Sequence, residues 1–432
     1  MKIVIVFAEP QAAQFQVVEG RLGKVTTTRN NHRWVIEVLN TKLGLGAPAT
    51  RVTVRTKADS FAFFLRDITG QWPIWIPHYG VAVVPADDAR DYQQIADDIL
   101  CRGLQSELDR IAADPEETYE NAAAKNRDDV CETWIGLSRD MRFFRVGSYP
   151  RDGYLGYFQA KNASCIAPQE GHPQGVEFGM MVGRGAACSI NIRRRLEDGV
   201  LPILHAEQVD GALTYRMTTF CTLEKSPLTG KTLRGTHFLV ADSLSGGHMH
   251  IERDNAIVAA NRDKETTGRE EETVLMIRVE AVNTGNVPHY AFLTSLHPRT
   301  HCKQQPYDGK RGYGWIDSGQ VFSINRLNGK PMPQQEVAVL LQPGEKAVVE
   351  CAMPHRFLTE ERAAALAKFD FDKRHAECRA FWEAKLAAAA SIRVPEPRVD
   401  EMIRAGLLHL DMISYGLEPA GPVGATIGWY SP

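Results

Sequence analysis

Leu341-Gln342-Pro343-Gly344-Glu345, and the run from it to Gly428-Trp429-Tyr430-Ser431-Pro432, decides how this chain is read. The Pro-Gly pair signals a turn. Ala347-Val348-Val349-Glu350-Cys351 continues as a strand, a long helical segment with Phe381-Trp382 follows, and Val394-Pro395-Glu396-Pro397 breaks the chain ahead of a second helix. That helix spans about Arg398 to Tyr415: Pro397 suits a first helical position, and Asp400 and Glu401 complement the dipole of its first turn. Val399, Met402, Ile403, Gly406, Leu407, Leu410 and Ile413 fall on one apolar stripe. Leu408 and Met412 lie outside it. A helix whose apolar surface exceeds one stripe needs neighbours on more than one side, so the chain reads as the front part of a longer protein.

Upstream of this stretch the sequence is mainly β. Ile3-Val4-Ile5-Val6-Phe7-Ala8 is too short to span a bilayer and reads as a first strand. Arg33–Val38 and Arg51–Thr56 read as further strands, with turn chemistry at Asn30-Asn31 and at Gly44, Gly46 and Pro48. The aromatics of residues 60–83, set between prolines, suit a core or a sugar-stacking surface. From Asp91 to about Val130 the spacing turns helical, with Tyr92, Ile95, Ile99, Leu104, Leu108 and Ile111 in phase and a second helix starting at Asp114-Pro115-Glu116-Glu117. Strands are expected at 176–182, 187–193, 215–223, 273–282, 289–296, 319–325, 335–341 and 346–351, the later ones as consecutive antiparallel neighbours. No α/β alternation occurs, which argues against a doubly wound nucleotide-binding domain.

Composition narrows the function classes. With 432 residues, 44% of them hydrophobic, and a formal net charge of -3, the chain gives no case for a nucleic-acid partner. Its eight cysteines contain no C-x-x-C pair, which is simplest as reduced thiols in a cytoplasmic protein. No run approaches the length of a membrane span. His248 with His250, and His297 with His301 and Cys302, have ligand chemistry but no corroborating spacing, so neither a metal nor a cofactor is expected. In Arg139-Asp140-Met141-Arg142, a buried Asp140 requires an arginine partner. Asp140 and Arg142 therefore read either as a structural ion pair or as polar contacts reaching a ligand cleft.

The order of parts resembles the N-terminal half of the six-hairpin glycosidases, the superfamily of glucoamylase and maltose phosphorylase. The resemblance rests on the Asn283-Thr284-Gly285 turn, the Leu341 to Glu345 turn, a linker tryptophan followed three residues on by Lys385-Leu386, and Val394-Pro395-Glu396-Pro397 before an amphipathic helix. It implies a β-supersandwich over residues 1–355 with a helical insertion at about 91–130, a helical linker over 356–396, and the first helix and loop of an incomplete (α/α)6 barrel over 397–432. It also implies a carbohydrate substrate, with the catalytic carboxylates downstream, since no carboxylate pair here is assignable to acid and base roles. Trp429 and Tyr430, which combine stacking with hydrogen bonding, and Asp411 inside the helix are the expected substrate contacts. Self-association is expected where the barrel face is uncovered. The competing reading is a non-catalytic β-sandwich protein that binds carbohydrate or assembles with other chains.

Overall fold

The computed structural model describes residues 1–28, 30–46, 48–113, 115–116, 118–120, 132–140, 142–149, 154–162, 177–183, 192–245, 251–266, 270–299, 305–316, 319–418 and 423–424. The fold is mainly β, built from several antiparallel sheets. No helix among the described residues is long and apolar enough to cross a membrane. The chain divides into two compact units, one of residues 1–125, 285–290 and 338–343, the other of residues 126–284, 291–337 and 344–432.

The first unit is organised on its opening strand, Lys2–Phe7, the middle of a five-stranded sheet. Side chains alternate across a strand. Ile3, Ile5 and Phe7 enter one core with Ile36, Val52, Val54 and Leu65, while Val4 and Val6 enter another with Ala82, Val84, Ile95 and Ile99. A strand buried on both faces must be apolar throughout, which is why this one reads as a continuous run. The helix Tyr92–Cys101 covers the second core, its start fixed by a capping box between Asp91 and Gln94. Phe61, Trp72 and Trp75 of the aromatic stretch are partly buried and pack against these two cores, as does Trp34. The helical phase stops at Cys101, and Leu108 and Ile111 lie exposed on a separate short helix, Glu107–Ala113. The helix expected from 114–117 runs into residues outside those described.

The second unit carries a nine-stranded sheet whose middle strands are Leu201–Asp210, Leu213–Leu223, Thr273–Asn283 and Lys346–Pro354. Thr273–Asn283 pairs with Leu213–Leu223 on one side and Lys346–Pro354 on the other. The expectation of consecutive neighbours is corrected at this point, because the next strand in sequence, His289–Thr294, pairs with Glu336–Leu341. A second, five-stranded sheet includes Thr133–Gly136, Arg142–Tyr149 and Tyr154–Asn162. Gly156 on its third strand lets Met217 of the large sheet approach closely, to 2.9 Å from where a Cβ would stand.

The helix Phe371–Ala388 lies on the strands Leu201–Asp210 and Leu213–Leu223. Asp370 caps it by accepting from Lys373 N, and Phe371, Cys378, Phe381 and Trp382 form its buried face. Its opposite margin is held by Glu197, which accepts from His375 Nε2 at 2.7 Å, His205 Nε2 at 3.0 Å and Arg379. Burial works to raise the Glu197 carboxyl, but the bonds from Arg379, His375 and His205 outweigh it and hold the group below its usual range. A depressed carboxylate stabilises the fold above its unfolded pKa, and that stabilisation is lost as pH falls through the folded one. We therefore expect stability to decline below the ordinary value of 4.5, with Glu197→Gln flattening this part of a melting-temperature-against-pH profile. An acid limb unchanged by the substitution would show that Glu197 contributes nothing to it.

The terminal helix, Pro397–Ile413, covers its apolar stripe only in part, with Ile403, Leu407 and Ile413 half-buried. It buries Leu408 and Met412, the two residues outside its apolar stripe, and leaves Val399, Met402 and Leu410 exposed at 44%, 64% and 60%. Gly406, within that stripe, has open space beyond its Cβ position. The helix meets the linker helix and the strand Leu201–Asp210. Charges tie its inner side down: Glu401 pairs with Arg195 at 2.7 Å, and Asp411 lies 3.4 Å from Arg139.

Candidate functional site

Three of the residues singled out from sequence, Asp140, Arg142 and Asp411, come to one place. Thr133–Gly136 and Arg142–Tyr149 form a hairpin, so Ser138-Arg139-Asp140 is its turn and not the extended stretch that its flanking aromatics suggest. Arg139 takes a left-handed backbone, φ 52°. Such a conformation in a non-glycine residue is held by its surroundings. Here Arg139 N donates to Asp411 O at 3.2 Å and Arg139 O accepts from Thr236 N at 2.9 Å, fastening the turn on two sides.

The third wall is a short pairing between Gly235-Thr236 and Tyr415–Leu417. Glycine is required at 235, where φ is 72° and a Cβ would stand 2.1 Å from Gly416 O. Glu418 N then donates to Arg234 O at 2.7 Å, which sets the Glu418 side chain beside the turn.

Two polar groupings result. In the inner one, Asp140 and Arg142 are 1% and 2% exposed. Asp140 Oδ1 accepts from Arg142 N at 3.1 Å and from Thr236 Oγ1 at 3.2 Å, with Arg142 Nη1 at 3.4 Å. This is a buried ion pair completed by hydrogen bonds, the form in which a buried carboxylate is tolerated. In the outer grouping, Ser138 Oγ lies 2.5 Å from both Asp411 Oδ2 and Glu418 Oε1. A hydroxyl has one proton to donate, so the two carboxylates compete for it. Lys385 bonds Glu418 and lies 3.5 Å from Asp411, and Arg139 Nε is within 3.5 Å of both.

Two cations thus balance two carboxylates. Glu418 is only 3% exposed, whereas Asp411 and Arg139 are 22% and 20% exposed. Every carboxylate in the cluster is bonded to a cation, and neither Asp411 nor Glu418 stands as a separate proton donor facing an attacking group. The arrangement is suited to clamping the end of the terminal helix and the residues after it against the hairpin turn. Asp411 is the carboxylate of the outer grouping with the larger solvent-facing surface.

Trp429 and Tyr430 lie outside the described residues, as do His248, His250, His301 and Cys302. His297 is half-buried, its Nδ1 3.0 Å from Ser295 O. Among the described residues no group of three or more His, Cys, Asp or Glu side chains is placed to hold a metal ion. Sequence reading singled out neither Ser138 nor Glu418. Glu418 carries no local signal, and it joins the cluster only because Tyr415–Leu417 pairs with a strand remote in sequence. Compared with models of known protein families and with curated proteins, the chain matches none.

Proposed function

We propose that this chain is the β-supersandwich and first barrel helix of a carbohydrate-active enzyme of glycoside-hydrolase type, whose catalytic carboxylates lie in further helices. The terminal helix is the observation that supports this reading. A helix that ends a fold buries its apolar stripe and shows its charges to water. This one leaves three residues of its stripe, Val399, Met402 and Leu410, exposed and Ile403, Leu407 and Ile413 only half-buried, while Glu401 and Asp411 are held by Arg195 and Arg139. That disposition suits a helix seated on a sandwich and waiting to be covered by other helices, as the first helix of an (α/α)6 barrel is. In this reading the substrate contacts are Trp429 and Tyr430, with Asp411 of the cluster.

The test is to express the reading frame continued beyond Pro432 and assay it on a panel of α- and β-linked glucosides, with and without phosphate. Sugar release is expected, and Trp429→Ala is expected to lower kcat/KM by tenfold or more, the equivalent of about 1.4 kcal/mol. Unchanged KM and kcat in that variant remove Trp429 from the site. A stop codon directly after Pro432, or no turnover of any glycoside, overturns the enzyme reading in favour of a non-catalytic protein.

A further inference from the structure

A three-stranded sheet of the first unit has the order Gln14–Val18, Arg51–Arg55, Ser60–Phe64. Its last strand is an edge, and the ladder behind it shows which backbone groups that edge presents. Leu65 N donates to Thr50 O at 3.1 Å and Thr56 N to Asp59 O at 2.9 Å, in line with the register that sets Phe61 opposite Val54 and Phe63 opposite Val52. Bonds in an antiparallel pair fall on alternate residues. Asp59, Phe61, Phe63 and Leu65 therefore bond the neighbouring strand, and the N–H and C=O groups of Ser60, Ala62 and Phe64 face outward. Those groups have no backbone partner among the described residues, and Ser60 and Ala62 are exposed.

An open edge is a template for another strand, and folded proteins blunt it with charge, proline, a bulge or shortness. The neighbouring edges of this unit are treated in that way. Arg21–Thr28 carries Arg21 and Lys24 and breaks register between Leu22 and Val25. Ile74–Ile76 is three residues long between Pro73 and Pro77, and Gln14–Val18 turns at Glu19-Gly20 into Arg21–Thr28. Ser60-Phe61-Ala62-Phe63-Phe64 has no charge, no proline and no shift in its pairing.

The strand is also complementary to itself. Turned antiparallel about Ala62, a second copy sets Ala62 opposite Ala62 and Ser60 opposite Phe64, so the outward groups meet one another and about six ladder bonds form. On the other face of the strand, Phe61 meets the second copy's Phe63. Phe61 is half-buried, and Tyr79, its ring centroid 6.2 Å away, is 39% exposed, so apolar surface is covered as the bonds are made. Charge selects the antiparallel sense. Asp59 precedes the strand, and Arg66 follows it with its guanidinium 4.4 Å from the centroid of the Phe64 ring. Antiparallel pairing brings each Asp59 to the end that carries the other copy's Arg66, whereas parallel pairing sets like on like.

We propose that Ser60–Phe64 is a self-association site, through which two copies of this chain join their three-stranded sheets into one continuous sheet about a two-fold axis at Ala62. The site lies wholly within the first unit and does not involve the terminal helix.

Sedimentation velocity of the 432-residue chain over about 1–100 μM is expected to show a monomer–dimer equilibrium, since so short an interface binds weakly. Ala62→Lys sets two ammonium groups at the axis and should weaken the dimer by about tenfold or more. Ala62→Pro should do the same with the fold retained, because the N–H it removes makes no bond within the chain. Ala62→Thr, neutral and suited to a strand, should keep the dimer. Met402→Glu, on the exposed part of the terminal helix, should keep it as well. A monomer throughout the range, which would leave the edge to a strand of a different protein, overturns the proposal, as does a dimer that survives Ala62→Lys. Loss of fold in Ala62→Lys would place Ala62 within the packing of its own chain and overturn it too.

Discussion

Trp382→Ala is expected to lower the free energy of unfolding by about 3–5 kcal/mol, among the largest single-residue effects in the chain. Its indole is 0% exposed on the linker helix, with the Phe381 ring edge-on at 5.1 Å between centroids and Cys378 one turn earlier on the same buried face. Truncation removes a large apolar volume that the strands beneath, held by ladder bonds on both sides, are unable to follow inward. Urea denaturation followed by far-UV circular dichroism measures the loss. Trp382→Phe, which keeps most of the volume, should recover more than half of it. An unchanged midpoint in Trp382→Ala would sink the assignment of this helix as a core element.

Arg362→Ala is the second large effect, and it works through charge. Glu224 has 2% side-chain exposure at the end of Leu213–Leu223. It accepts from Glu272 N at 2.9 Å and from Arg362 Nε at 2.8 Å. Removing the arginine strands a buried carboxylate, which costs about 3–5 kcal/mol in such settings. The lower end applies, because Arg362 is itself 30% exposed and water reaches part of the pair. The double variant Arg362→Ala with Glu224→Gln should regain part of the loss, since a neutral amide needs no counter-ion. Equal stability of the single and double variants would mean that desolvated charge is not what Arg362 compensates.

The legibility of the fold followed its periodicity. Lys2–Phe7, Leu213–Leu223, Thr273–Asn283 and Lys346–Pro354 are dense in β-branched or apolar residues between turn signals, and each lies close to where sequence placed it. Leu201–Asp210 was missed because its proline and mixed polarity hide a strand that is central in the sheet. Glu252–Thr266 was missed for a different reason: among its described side chains, residues 252–262, only Val258 is fully buried, and no apolar stripe marks it as a helix. The terminal helix was found from its stripe, yet which side it would bury was not readable. Its stripe is covered only in part, with Val399, Met402 and Leu410 exposed, and Leu408 and Met412 were the minority of its apolar residues. The need of Asp140 for an arginine followed from desolvation alone. The partners of Asp411 did not, because Ser138 and Glu418 reach it through a hairpin turn and a two-strand pairing that no local pattern announces.

Thr273–Asn283 has a consequence for how the chain comes to be folded. Its eleven residues are among the most apolar in the sheet, and both its edges are paired, yet neither partner is a sequence neighbour. The earlier partner ends at Leu223 and the later one begins at Lys346. Each pairing must close a long loop before any ladder bond repays the lost chain entropy, which places the sheet among slowly assembling topologies. During synthesis the strand leaves the ribosome with one partner already made and the other still untranslated. For that interval Val274, Leu275, Met276 and Ile277 lie along an open edge, the condition under which nascent β chains associate with one another. The step most exposed to aggregation in this protein is thus set by strand order, and slower translation between Asn283 and Lys346 lengthens it.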